Sequence, residues 1–125
     1  MKQVIDWFEI PTTNLERATK FYNEIFQIEM TSMHLANRLR MSMFPADPTK
    51  GPGGALCHHP EHYTPSQNGT LVYLNADPDL SVVLGRIEKA GGSILVPKTQ
   101  ISPDYGYMAV FFDTEGNRVA LHSRT

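Results

Sequence analysis

Apolar and polar side chains alternate through Val4-Ile5-Asp6-Trp7-Phe8-Glu9-Ile10, a stretch rich in β-branched and aromatic residues that predicts a strand. Period-two counting puts Ile5, Trp7 and Glu9 on one face and Asp6, Phe8 and Ile10 on the other. The period then changes. Leu15, Ala18, Phe21, Tyr22, Ile25 and Phe26 fall on one helical stripe, so a helix is expected from Thr13 or Asn14 onward. Thr13 and Glu16 have the spacing of a capping box, in which hydroxyl and carboxylate satisfy free amides reciprocally. Strands are expected at about 29–35, 38–44 and 54–58, with Asn37 as a turn residue between the first two. Proline and glycine mark 45–53 and 59–69 as loops, the second being the natural module boundary.

The same order of elements then recurs. A strand is predicted over 70–75, and Asp77 with Pro78 reads as an N-cap followed by the first helical position. Leu80, Val83, Leu84 and Ile87 form a second stripe, ended by Gly91-Gly92. Three more strands are expected at 93–96, 107–113 and 118–122, the last two joined by the turn Thr114-Glu115-Gly116-Asn117. Strand, helix and three strands thus occur twice, in module one at about 1–62 and module two at about 68–125. The predicted fold is α+β: two βαβββ modules in one domain, their sheets curled into a cup with the helices outside.

Composition narrows the class. A chain of 125 residues with 41% apolar and 19% charged residues suits one globular domain. The single cysteine, Cys57, has no internal partner, which fits a reducing compartment. No basic and apolar leader precedes the first strand, and no apolar run approaches the roughly 18 residues that span a bilayer. A net charge of −2 without a basic run argues against nucleic acid. A cytoplasmic protein with a small-molecule ligand, and no nucleic-acid or membrane partner, is expected.

Several segments together carry a family resemblance. They are Phe8-Glu9-Ile10-Pro11 leading into Asn14-Leu15-Glu16-Arg17-Ala18, then Gly53-Gly54-Ala55-Leu56 and Gly69-Thr70-Leu71-Val72-Tyr73. Ile87-Glu88-Lys89-Ala90-Gly91-Gly92 and the closing run from Phe112 to His122 complete the set. In order and spacing the chain resembles the glyoxalase/bleomycin-resistance/dioxygenase group, the vicinal oxygen chelate superfamily. The resemblance implies a cup-shaped site and a homodimer. In metal-dependent members it also implies a divalent ion held by four His or Glu side chains, acting as a Lewis acid. On this chain those four positions fall on Trp7, on Gly54 to Leu56, on Thr70 to Val72, and on Ala120. None is a usual ligand, and a metal needs about three protein donors.

Glu9 and His122 each lie two residues from one of these positions, so they share its face of the strand. They are the candidate catalytic residues, either as a displaced partial metal site or as an acid/base pair. Candidate ligand-binding residues are Trp7 as a stacking surface, Met41 and Met43 as a pliable lining, and Thr70 and Val72 at the third position. A long loop from Pro97 to Tyr107 is expected to form a lid, with Tyr105, Tyr107 and an anion-seeking Lys98. His58, His59 and His62 are read as a loop cluster, with Pro60 keeping His59 and His62 apart and His58 at the cup rim. Three functions stay open: a metal-free binding protein, a lyase, isomerase or dioxygenase using Glu9 and His122, and a plugged non-catalytic subunit.

Overall fold

The computed structural model describes residues 3–47 and 49–125. Its strands and helices run β1 (Trp7–Pro11), α1 (Leu15–Phe26), β2 (Thr31–His34), β3 (Arg40–Met43) and β4 (Gly53–His58). The second set is β5 (Tyr73–Asn75), α2 (Ser81–Ala90), β6 (Ser93–Ser102), β7 (Gly106–Phe112) and β8 (Arg118–Ser123). Each module forms a four-stranded mixed sheet, in the orders β1-β4-β3-β2 and β5-β8-β7-β6. The first strand of each module pairs in parallel with the fourth and leaves its other edge open. The α+β expectation of two curled βαβββ modules holds.

One core serves both modules. Ile10, Phe21 and Tyr22 of the first pack with Leu80, Phe111 and Leu121 of the second, and α1 lies against α2. The Tyr22 hydroxyl crosses the module boundary to donate to Asp113 Oδ2 at 2.8 Å. Among the described residues no helix is long and apolar enough to cross a membrane.

Four local expectations are corrected. Val4 to Asp6 do not extend β1, because its pairing begins at Trp7 opposite Gly53 and the chain just before Gly53 is loop. The capping box does not form. Asn14 is the N-cap, its side chain accepting from the Arg17 amide at 3.0 Å, while Glu16 pairs with Arg40 instead. The carboxylate that meets the free amides of Thr13 and Asn14 is Glu115, at 2.9 and 2.8 Å. It comes from the far end of the chain.

The second helix starts later than expected, at Ser81, after a cis Asp77–Pro78 peptide. The Asp77 carboxylate accepts from the Arg124 amide at 2.8 Å, and Asp79 takes the Ser81 amide at 2.9 Å. Finally, 97–102 is not a lid loop. β6 pairs with β7 from Ser93 opposite Phe112 to Ser102 opposite Gly106, with register shifts on both sides of Pro97. A proline fits an edge strand at such an irregularity, because no ladder bond is needed from its nitrogen.

Candidate functional site

Alternation along the strands assigns the faces. Phe8 and Ile10 of β1 and Val119 and Leu121 of β8 turn towards the core beneath the helices. Trp7 and Glu9, and Arg118, Ala120 and His122, therefore turn the other way. The open edges of β1 and β5 border a cleft of about 1130 Å³, lined by Trp7, Glu9, Lys50, Thr70, Tyr73 and Asn75 among others. This seam cleft is the largest described cavity.

Within it, Trp7 is 43% exposed, presenting the ring as a wall rather than a plug. Its indole N–H donates to Glu9 Oε2 at 3.3 Å, and the Tyr63 hydroxyl donates to Glu9 Oε1 at 2.6 Å. Both carboxylate oxygens are thus engaged, which holds Glu9 in place at the cleft wall. The bond to Glu9, and then burial, raise the Tyr63 phenol pKa above its ordinary value. Cys57 is buried on the same face of the first sheet. Burial first, and then the Glu9 charge, push its thiol up to about 12. A buried, protonated thiol is inert, so native Cys57 should not react with Ellman's reagent at neutral pH and should react fully in denaturant. Rapid reaction of the folded protein would contradict this placement.

The structure brings together only some of the residues the sequence singles out. Met41 and Met43 form a small apolar cluster with Ala55, Cys57 and Tyr63, separate from the main core. Thr70 lines the cleft. Val72 lines it too, although its side chain packs partly on the core and its carbonyl accepts from the Ala120 amide. Glu9 and His122 belong to different sheets and hold different partners, His122 Nε2 meeting the Tyr105 carbonyl oxygen at 2.5 Å.

Tyr105 itself is exposed. Lys98 and Tyr107 fall away from the seam. Lys98 pairs with Asp79 at 2.9 Å and sits over the Tyr107 ring at 4.6 Å, and that ring packs on the core. The lysine bond first, helped by the Ser81 amide, pulls Asp79 down to about 2. Two histidine expectations also change. The His59 and His62 rings stack at 4.3 Å, because the chain turns tightly after Pro60. His58 shares a strand face with Leu56 and so points to the helix side, opposite Arg40.

A divalent ion at the superfamily's usual place does not fit these residues. The corresponding positions offer an indole, small or aliphatic side chains, a threonine and an alanine. Among the described residues no three His, Cys, Asp or Glu side chains are grouped to hold a metal. Sequence reasoning missed Tyr63, Tyr73 and Arg118. The first lies in an irregular loop with no local signal; Arg118 shares the strand face of Ala120 and His122, and Tyr73, opposite Ala120, has the parity opposite to Val72.

Two sheets of this topology around one open seam define a paired βαβββ protein. The chain belongs to the Glyoxalase/Bleomycin resistance protein/Dioxygenase superfamily, whose model matches residues 4–121. A glyoxylase-like domain-containing protein of Didymella fabae is 30% identical over 96% of this chain and 93% of its own length. Glyoxalase I of Zea mays superposes with a TM-score of 0.69 at 18% identity, over 94% of this chain but only 45% of the maize enzyme. TnmS3, an antibiotic binding protein from Streptomyces sp. CB03234, superposes with a TM-score of 0.66 at 22% identity, over 100% of this chain and 99% of its own. At these identities the two structures share the fold.

Proposed function

We propose that this protein binds a small, partly aromatic molecule in the seam cleft between β1 and β5. The observation that carries the reading is the half-exposed Trp7 in the wall of that cleft. An exposed indole beside a roomy, mostly apolar cavity is a stacking surface for a flat ring. Glu9, held by Trp7 and Tyr63, adds an oriented polar group that fixes how such a ring sits. TnmS3, named as an antibiotic binding protein, has the same fold, but the proposal rests on the cleft. Glu9 and His122 hold separate partners and form no hydrogen bond with each other, so the acid/base reading gains no support from the geometry.

The test uses dansylamide, a neutral aromatic probe whose emission is sensitised by a nearby indole. Trp7 is the chain's single tryptophan, so it is the only indole donor. Exciting it should give saturable dansyl emission. Dansyl anisotropy should show Trp7→Ala weakening binding by about tenfold, the loss of a stacked aromatic contact and its buried area. Absence of saturable binding, or an unchanged affinity in Trp7→Ala, would contradict the proposal.

A further inference from the structure

The seam cleft has a smaller neighbour. A recess of about 190 Å³ lies where β1 ends and β8 begins, lined by Glu9, Pro11, Thr64, Ser66, Thr70 and Arg118 among others. It shares Glu9, Thr70 and Val72 with the larger cleft, so the two adjoin. Arg118 opens β8 on the face opposite Val119 and Leu121, away from the main core.

Several other arginines are charge-matched, although Nε of Arg40, like that of Arg118, is buried without a hydrogen-bond partner. Arg17 pairs with Glu115, Arg40 with Glu16 and Arg38 with Glu61. Among the described residues Arg118 enters no ion pair, and its Nε–H is buried without a hydrogen-bond partner. A guanidinium keeps its charge at any physiological pH, and a buried donor left unmatched is costly. Its planar fork of N–H groups matches a carboxylate through two parallel bonds.

We infer that Arg118 is an anion-recognition residue, and that the molecule bound in the seam cleft carries a carboxylate which enters this recess. The inference rests on the proposed binding role of the cleft. Any anion in this recess meets the carboxylate of Glu9 as well as Arg118, and a singly charged carboxylate incurs about half the repulsion of a doubly charged phosphate. The aromatic part then lies on Trp7 and the carboxylate on Arg118, with Thr70 bordering both spaces.

Two matched probes test this: neutral dansylamide and dansylglycine, which adds a carboxylate to the same ring system. Wild-type protein should bind dansylglycine about tenfold more tightly, the value of one charge-assisted contact. Arg118→Gln should remove that preference, bringing dansylglycine to the affinity of dansylamide in the same variant. Raised salt should reduce the preference in the wild type. If Arg118→Gln does not fold, Arg118→Lys, which keeps the charge but loses the two-bond fork, should lose most of the preference. Dansylamide binding with no preference for dansylglycine, or a preference that survives in folded Arg118→Gln, overturns the carboxylate assignment alone. Failure of both probes overturns the cleft reading, and this inference with it.

Discussion

Replacing Glu115 with alanine should lower the unfolding free energy by about 3–5 kcal/mol, among the largest effects of any single substitution in this chain. Its side chain has no solvent exposure, and it accepts from the backbone amides of Thr13 and Asn14 and from Nε and Nη2 of Arg17. Those two amides lie at the start of α1, where no intrahelical acceptor exists and negative charge is favoured. Alanine leaves them in a poorly solvated space and releases the clasp between the modules. Two neighbours in the same turn share the task. Asp113 receives the Tyr22 hydroxyl, and Asn117 donates from Nδ2 to the Pro11 carbonyl at 2.8 Å. Urea unfolding of wild type and Glu115→Ala checks the figure, and a loss below about 1 kcal/mol, the range of an exposed ion pair, would contradict it.

The same residue gives a pH dependence. Burial pushes the Glu115 carboxyl up, but Arg17, the Asn14 amide and Thr114 outweigh it, and its pKa in the folded protein lies below the ordinary 4.5. A depressed carboxyl stabilises the fold above its unfolded pKa, and that contribution is lost as pH falls through the folded value. The stability gap between wild type and Glu115→Gln should therefore be constant near neutrality and narrow below pH 4.5. Asp113, raised chiefly by burial, has the opposite sign but is common to both proteins.

Gly106→Ala should cost about 2–4 kcal/mol. Gly106 has φ +77°, a region that L side chains rarely enter, and a Cβ there would lie 2.4 Å from the Ser123 carbonyl oxygen and 3.2 Å from Arg124 Cα. Ser123 cannot retreat easily. It is buried, and its hydroxyl accepts from the Leu80 amide at 2.9 Å. Gly116 supplies the control, with φ +88° but nothing within 4 Å of its would-be Cβ. Gly116→Ala meets only the backbone penalty, about 1–2 kcal/mol. Equal losses for the two variants would show that the contact with Ser123 is unimportant.

The architecture was legible because it depends on local periodicity. The Leu15 to Phe26 stripe and the Gly91 stop each lie within one turn or one strand of what they control, and both stand in the structure. What escaped depends on distant partners. Thr13 and Glu16 have the right spacing for a cap, but Asn14 caps the helix, Glu115 takes the free amides from the far end of the chain and Arg40 draws Glu16 away. Pro97 looked like a loop residue because the register shifts that accommodate it are properties of the β6–β7 pair. At the candidate site, Trp7 and Glu9 could be placed by alternation and by their position relative to the helix, and Thr70 only by the spacing that the family resemblance implies. Tyr63 could not be placed, since it reaches Glu9 from an irregular loop. Alternation gives the face of Arg118 but not its meeting with β1, which comes only through the packing of two sheets.

Backbone-amide NMR during titration with dansylamide tests the central claim most directly. Binding in the seam cleft should shift amides concentrated at residues 7–9 and 70–75, the two open edges that form its walls. Shifts centred instead on the His59–Tyr63 turn and Leu39, or none at saturating probe, would contradict a ligand site between β1 and β5.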